Sequence, residues 1–515
     1  MSKAKLLVAS LVWLFLFAAA VLCWKLFLAP VVEVSQQEQE RIAAEKARQE
    51  REEMLRRGGS DSHYKTQVKI ALDGFSGYAV FRSPEFQEEL RQKGIKLDLE
   101  DDGADYPKRL AALKDGSTDM AVFTIDALVK ASAQAEDLPA TIVAIVDETV
   151  GADAIVTYRD TFPNVDALNT PETKFVLTPD SPSETLARVV QSRFELDQLS
   201  EDPFIRVKDA SAVFERYNAA KPGDKLAYVL WEPYVTQMLK NDRVHVVVDS
   251  SRFPSAIVDV LVASDDFVAK HRETVVDVVR AYLTANHAFH STDRRIQLVM
   301  EDAAVSGASL SKDEATRLVE GVWWKNTQEN LAHIGLRSQA KLPHLEDMIA
   351  GVTRVLVESG SIEKDPTDGH PNYLYNDSIL NDLVNFHPGG QIEEVRGTAM
   401  PKLTDNQWST LVPAGTARSP TLVFARGTVQ LTERSRLLLD ELVGTLQSTR
   451  YYVIVRGNAS RRGNLEANAR LAEERAKEVE RYLVEKGVDT DRIRAIGVEP
   501  SGSTSVSFVL GELPY

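Results

Sequence analysis

The sequence predicts an α/β protein, on three observations. Between residues 67 and 300, short runs of β-type alternation take turns with helical runs; a smaller segment after residue 420 mixes strands with two amphipathic helices; and one uncharged apolar run dominates the first 32 residues. Strand–helix–strand order with short connections marks an α/β domain. At 515 residues the chain exceeds one compact core, so at least two domains are expected.

QVKIAL (67–72) alternates as a strand and runs into the turn-rich DGFSGY. FQEELRQKG (86–94) has helical spacing with a glycine stop, and IKLDLE (95–100) alternates again. YPKRLAALKDG (106–116) reads as a short helix and DMAVFTI (119–125) as a buried strand. Residues 300–390 read mainly helical, as in KDEATRLVEGVWWKN and LPHLEDMIAGVTRVLVESG, with Trp323-Trp324 as core packing. Domains that alternate in this way place ligands at the carboxyl ends of their strands.

Sixty Lys and Arg face 76 Asp and Glu, a net charge of −16 with no concentrated basic stretch in the folded part. That argues against a nucleic-acid partner. The single cysteine, Cys23, lies inside the apolar run, so the rest of the chain has no disulfide, thiolate metal site or cysteine nucleophile. Nine histidines are scattered without the i, i+4 spacing of a helical metal site. No metal or other cofactor is expected, and no enzymatic activity.

Leu6 to Trp24 is an uncharged stretch of 19 residues. About 20 apolar residues cross a bilayer, whereas a signal-peptide core has about 7–15. Lys3 and Lys5 precede it, so the N-terminus is expected in the cytoplasm and the bulk exported. Leu22 before Cys23 is a poor lipidation context, and cleavage after Ala18, Ala19 or Ala20 is the other reading. The anchor is placed at 1–32. A charged stalk follows at 33–65, either a helix of about 36 Å along residues 34–57 or a flexible tether.

The order of segments resembles the nitrate/sulfonate/taurine periplasmic binding proteins of ABC transporters, a class that includes thiamine-precursor binders. The resemblance is carried by Asp73-Gly74-Phe75-Ser76-Gly77-Tyr78, LKDGSTDMAVFTIDAL (113–128), AIVDETVGADAIV (144–156) and SPSETLARVV (181–190). YVLWEPYV (228–235), VVVDSSRFP (246–254) and DVLVASDDFVAKHRETV (259–275) complete it. It implies a type II periplasmic-binding-protein fold over 66–390, with lobe one at about 66–152 and 253–390 and lobe two at about 153–251. A small ligand would bind in the cleft. Its lining would fall on Phe75, Ser76, Gly77, Tyr78, Thr124, Asp126, Gly151, Ala152 and Asp153 in the first loops. Ser181, Ser183, Glu184, Thr185, Trp231 and Glu232 would complete it.

The residues themselves leave the ligand's charge open. Ser181-Pro182-Ser183-Glu184 opens a helix whose free N–H groups suit an anion, unless Ser183 only caps that helix. Tyr78 and Trp231 suit a flat or apolar ligand, or simply pack the wall. Asp73, Asp126, Asp153 and Glu232 favour an amine or a neutral ligand if several face inward. The thiamine-pyrimidine synthases related to this class use a cysteine-rich segment that this chain lacks.

After a linker at 391–419, residues 420–515 resemble the OmpA/MotB-type peptidoglycan-binding domain. The best-matched stretch is VRGNASRRGNLEANARLAEERAKEVERYLVEKGVDTDRIRAIGVEP (455–500), with Gly457, Gly463, Asn468, Leu471, Arg475 and Ala476 at the family's recurring positions. The family's Asp that partners the helix Arg is Ser460 here, after Asn458 and Ala459. Peptidoglycan contacts are therefore expected from Asn458, Ser460, Asn468 and Arg475, with the amine side of the grip weakened. Otherwise Arg475 pairs on the helix surface, for example with Glu478. The whole reads as a membrane-anchored solute-binding protein that docks on peptidoglycan, or that works with an inner-membrane transporter or envelope complex. The alternative is a structural envelope scaffold. A stator-like channel would need an intramembrane carboxylate, and residues 6–24 have none.

Overall fold

Buried strands appear where the apolar runs are continuous, because a strand covered on both faces has no solvent side to leave polar. In chain order the strands are β1 (Thr66–Leu72), β2 (Ile95–Asp101), β3 (Met120–Thr124), β4 (Ala140–Thr149) and β5 (Asp153–Tyr158). Next come β6 (Lys174–Leu177), β7 (Phe204–Arg206), β8 (Leu226–Trp231), β9 (Val244–Asp249), β10 (Val258–Ser264) and β11 (Val322–Trp324). The last four are β12 (Val412–Thr416), β13 (Tyr452–Gly457), β14 (Ile493–Gly497) and β15 (Val506–Glu512). The structure, a computed structural model, describes residues 64–513 except 233, 306–308, 338–341, 398–399, 420, 426, 459 and 498–504. The expected membrane anchor and stalk lie outside the described residues, and no helix among the described residues is long and apolar enough to cross a membrane.

The strands form three sheets, ordered β11-β4-β10-β3-β1-β2, β7-β6-β8-β5-β9 and β12-β15-β13-β14. The first two follow one rule. β1 pairs parallel with β2 and β3, and β6 pairs parallel with β7 and β8. Into each sheet one strand from across the molecule is inserted antiparallel: β10 between β3 and β4, and β5 between β8 and β9. The chain thus crosses between two α/β lobes at β4–β5 and returns at β9–β10. Helix starts follow capping chemistry: Ser83 and Ser264 accept the backbone N–H three residues on, and Ser311 with Glu314 forms a reciprocal capping box.

The two crossings are held side by side. Thr149 N–H donates to the Ile257 carbonyl (3.1 Å), Gly151 N–H to Ser250 Oγ (2.9 Å) and Val150 N–H to the Gly321 carbonyl (2.7 Å). Glu148, buried at the end of β4, accepts the Ser255 N–H (2.8 Å) and pairs with the buried Lys325 Nζ at 2.6 Å. Lys325 also sits 3.0 Å from the centre of the Trp323 ring. Trp324 donates its indole N–H to the Gly77 carbonyl (2.7 Å), so both tryptophans belong to the frame.

The C-terminal sheet packs against the helices Glu433–Gln447 and Leu465–Glu485, and its apolar core is continuous with one face of the second lobe. Phe194 and Phe253 each meet Tyr451 edge-on, at 6.0 and 6.4 Å. Burying one such ring is worth roughly 1.5–3 kcal/mol. Backbone bonds run from Glu195 N–H to the Thr416 carbonyl (3.0 Å) and from Arg418 N–H to the Arg193 carbonyl (2.8 Å). Asp166 accepts the Thr416 N–H (2.6 Å), and Arg252 pairs with Glu512 at 2.7 Å. A Cβ at Gly415 would lie 2.7 Å from the Phe194 ring, which is why the closest approach is made by glycine.

Candidate functional site

A cavity of about 400 Å³ opens where the carboxyl ends of β1, β2, β3 and β4 face those of β6, β7 and β8. The first lobe supplies Asp73, Phe75, Tyr78, Asp101, Tyr106, Thr124 and Thr149. The second supplies Thr178, Asp180, Ser181, Asp209 and Trp231. Asp153 opens β5 and Asp259 lies on β10, so each inserted strand contributes one carboxylate. The alternation of a strand then sends these two side chains to the face their apolar neighbours leave.

The floor is built around Tyr78, whose ring is buried and whose hydroxyl donates to the Asp259 carboxylate. Asp147 lies beside Asp259, wholly buried; burial pushes both carboxyls up, and the charge of Asp147 adds to the rise at Asp259, whereas at Asp147 the hydrogen bond with Asp259 and the nearness of Lys325 and Arg295 oppose it. Burial pushes Asp153 up to about 7; the Thr149 hydroxyl opposes the shift, and Asp126 and Asp147 add to it. A guanidinium near the floor, that of Arg109, is already committed. Its Nε donates to Asp102 (2.6 Å), its Nη2 reaches Asp73 at 3.2 Å, and its plane lies 4.8 Å from the Tyr106 ring centre.

Of the positions expected to line the cleft, Phe75, Tyr78, Thr124, Asp153, Ser181 and Trp231 do so. The others are placed elsewhere. Ser76 and Gly77 form the short 3₁₀ turn behind Phe75, where a Cβ on Gly77 would meet the Phe75 ring at 2.3 Å. Gly151 and Ala152 sit in the crossing, Gly151 with φ of 135°. Glu232 caps the helix Tyr234–Leu239 through the Thr236 N–H (3.1 Å), and Ser183 is buried without a hydrogen-bond partner for its hydroxyl. Asp126 accepts from Thr185 across the lobes, while Glu184 bonds Arg188 (2.6 Å), Lys130 (3.5 Å) and the Asp180 N–H (2.8 Å). These last contacts latch one lobe to the other beside the cavity. Lys130, the Asp180 N–H and Arg188 outweigh burial and hold the Glu184 carboxyl below its ordinary value.

Sequence reasoning missed Asp259, Asp101, Tyr106 and Thr149. A signal existed for Asp259 and its neighbour Asp147: each is a carboxylate inside an otherwise apolar strand, VDVLVAS and ATIVAIVDET. Among the described residues no group of three or more His, Cys, Asp or Glu is arranged to hold a metal ion.

The linkage sign for Asp153 gives a prediction. A carboxyl held near 7 when folded, against an ordinary 3.8, binds its proton more tightly in the folded state. Its contribution is complete below about pH 4 and is lost as pH rises through 7, by at most about 4 kcal/mol. Asp153→Asn is therefore expected to unfold at a higher temperature than the parent at pH 8, with the gap closing at pH 4. Melting curves at the two pH values check this; an equal gap at both contradicts it.

In the C-terminal domain, Arg475 is buried, donates Nε–H to the Thr428 carbonyl (2.9 Å) and lies 4.6 Å over the Phe424 ring. Burial lowers its pKa. Glu478 pairs with Arg481 at 2.6 Å, and among the described residues no carboxylate forms an ion pair with Arg475. Asn468 Nδ2 donates to the Ser460 carbonyl (2.7 Å) and the Arg462 carbonyl (2.8 Å), and Ser460 Oγ accepts the Arg462 N–H (3.0 Å). Asn458 reaches Ser505 Oγ at 3.5 Å. The loop is thus tied by neutral groups, and among the described residues the Arg475 guanidinium has no carboxylate partner.

No curated protein matches the chain. Among solved structures it is similar to the ligand-binding component of an ABC-type import system from Staphylococcus aureus with zinc bound, at 14% identity over 62% of this chain and 99% of that one, TM-score 0.46. It is also similar to the periplasmic aliphatic sulphonate binding protein SsuA from Escherichia coli (16%, 65% and 96%, TM-score 0.45). A third is the alkanesulfonate-binding protein SsuA from Xanthomonas axonopodis pv. citri bound to MOPS (16%, 59% and 96%, TM-score 0.43). The OmpA family model matches residues 423–503. The chain therefore carries an OmpA-family domain at the end of a two-lobed α/β body.

Proposed function

We propose that this chain is a non-enzymatic solute-capturing protein of the bacterial envelope, tethered to the inner membrane by residues 6–24 and docked on peptidoglycan by its OmpA-family domain. One observation carries the reading: a cavity of about 400 Å³ at the strand ends between two lobes joined by paired crossings. A site of that volume suits a small solute, and two lobes on a shared hinge close on it as a pair. The docking half rests on Arg475, whose fork is held by a carbonyl and an aromatic ring and keeps donors for a wall-peptide carboxylate. Solute passed on from such a site goes to an inner-membrane transporter or an envelope complex.

Arg475→Ala is expected to lower retention of the full-length protein on purified peptidoglycan by about 10–100-fold, the worth of a charge-assisted hydrogen-bonded pair. Sedimentation with sacculi measures it. Equal retention of parent and variant removes Arg475, and with it the wall contact, from the reading. A second reading, an envelope scaffold, is favoured by the core shared between the second lobe and the C-terminal domain.

A further inference from the structure

The cavity's charge is lopsided. Six aspartates line it (Asp73, Asp101, Asp153, Asp180, Asp209 and Asp259) against one lysine, Lys208. Lys208 is exposed and lies 3.6 Å from Asp209, so it faces solvent. Arg109 is spent on Asp102 and Asp73, and Lys130 on Asp180 and Glu184. At the helix start that suits an anion, the Ser181 hydroxyl is turned to the Thr178 carbonyl (2.8 Å), and a carboxylate, that of Glu184, accepts the Asp180 N–H (2.8 Å). Among the described residues lining the cavity, an anion entering here meets one exposed lysine and six carboxylates.

Apolar surface complements the acid. Phe75 and Trp231, both half-buried, line the cavity from opposite lobes, with Tyr106 below. Aromatic faces and carboxylates together are the surroundings that hold an organic cation, the ring faces attracting the spread charge and the carboxylates its N–H groups. A second feature points to a polar ligand: Thr178 lines the cavity from the second lobe, and its buried hydroxyl oxygen has no hydrogen-bond partner among the described residues. Such a group costs free energy until a ligand pairs with it.

Resting on the capture reading above, we infer that the ligand is a small organic cation, an amine or ammonium compound whose nitrogen sits at Asp153 and Asp259 and whose body lies between Phe75 and Trp231. Bound charge at this point pulls Asp153 into its ionised form, so binding releases a proton near neutral pH. The titratable groups facing Asp153 are Asp126 from the helix Ile125–Ala135 and Asp147 from β4, all of one sign. Affinity for the cation accordingly rises from pH 6 to pH 8.

The test is calorimetric titration of the full-length chain with choline, ethanolamine and putrescine, beside methanesulfonate, nitrate, phosphate and glucose. The expected result is binding of at least one amine, tighter at pH 8 than at pH 6, and weakened at least tenfold by Asp153→Asn. Trp231→Ala provides a second variant on the other lobe, with the same expected direction. Silence of all three amines overturns the inference, as does amine binding that Asp153→Asn leaves unchanged. If methanesulfonate or glucose binds while the amines do not, the capture reading stands and the cation assignment falls; if nothing in the panel binds, both fall.

Discussion

Lys325→Ala is expected to cost about 3–5 kcal/mol of stability, the price of stranding one member of a buried ion pair. Glu148 has no route to solvent: both partners are buried, 2.6 Å apart, and the carboxylate also holds the Ser255 N–H of the second crossing. Removing Nζ strands the buried Glu148 carboxylate and also takes the ammonium off the Trp323 ring. Replacing both partners, as Glu148→Gln with Lys325→Met, is expected to recover most of the loss, because no buried charge is then unpaired. Urea unfolding of the parent, single and double variants measures this, and a single variant within about 0.5 kcal/mol of the parent contradicts it.

Gly457→Ala is expected to be the most damaging change in the C-terminal domain, at about 3 kcal/mol or more. Gly457 ends β13, where the helix Leu465–Glu485 crosses so closely that a Cβ would lie 1.9 Å from the Ala472 carbonyl oxygen. Backbone meets backbone there, so no side-chain rotation relieves the clash. Gly463 in the same loop is the control. Its φ is 89° but nothing lies within 4 Å of an added Cβ, so Gly463→Ala meets only the dihedral penalty of about 1–2 kcal/mol. Hydrogen exchange over 421–513 ranks the two variants, and equal protection in both contradicts the steric account.

The α/β layout was readable because burial writes itself plainly into strands such as MAVFT, in which every residue is buried, and into capped helix starts. The lobe crossings were harder. A residue such as Asp259 enters the cleft only because β10 inserts antiparallel between β3 and β4, and no local pattern encodes that insertion. The same limit explains Glu184 and Glu232. Each sits in a loop-to-helix segment of the expected kind, but each turns back to cap or pair locally, with Arg188 four residues on or the Thr236 N–H. Asp153 and Trp231, which face each other across paired strand ends, were reached through the resemblance of the segments that carry them and not through a local pattern. In the C-terminal domain Arg475 was legible from its helix, while its carbonyl partner Thr428 lies 47 residues away.

Closure of the cleft on a small solute is tested by thermal unfolding of the full-length chain with a broad set of envelope solutes. A ligand bound only by the folded state at about 100 times its Kd adds about 2.7 kcal/mol. At least one solute is expected to raise the unfolding temperature by several degrees, with Trp231→Ala abolishing the rise while leaving the unliganded curve close to the parent's. A rise that survives Trp231→Ala, or no rise with any solute, would contradict it.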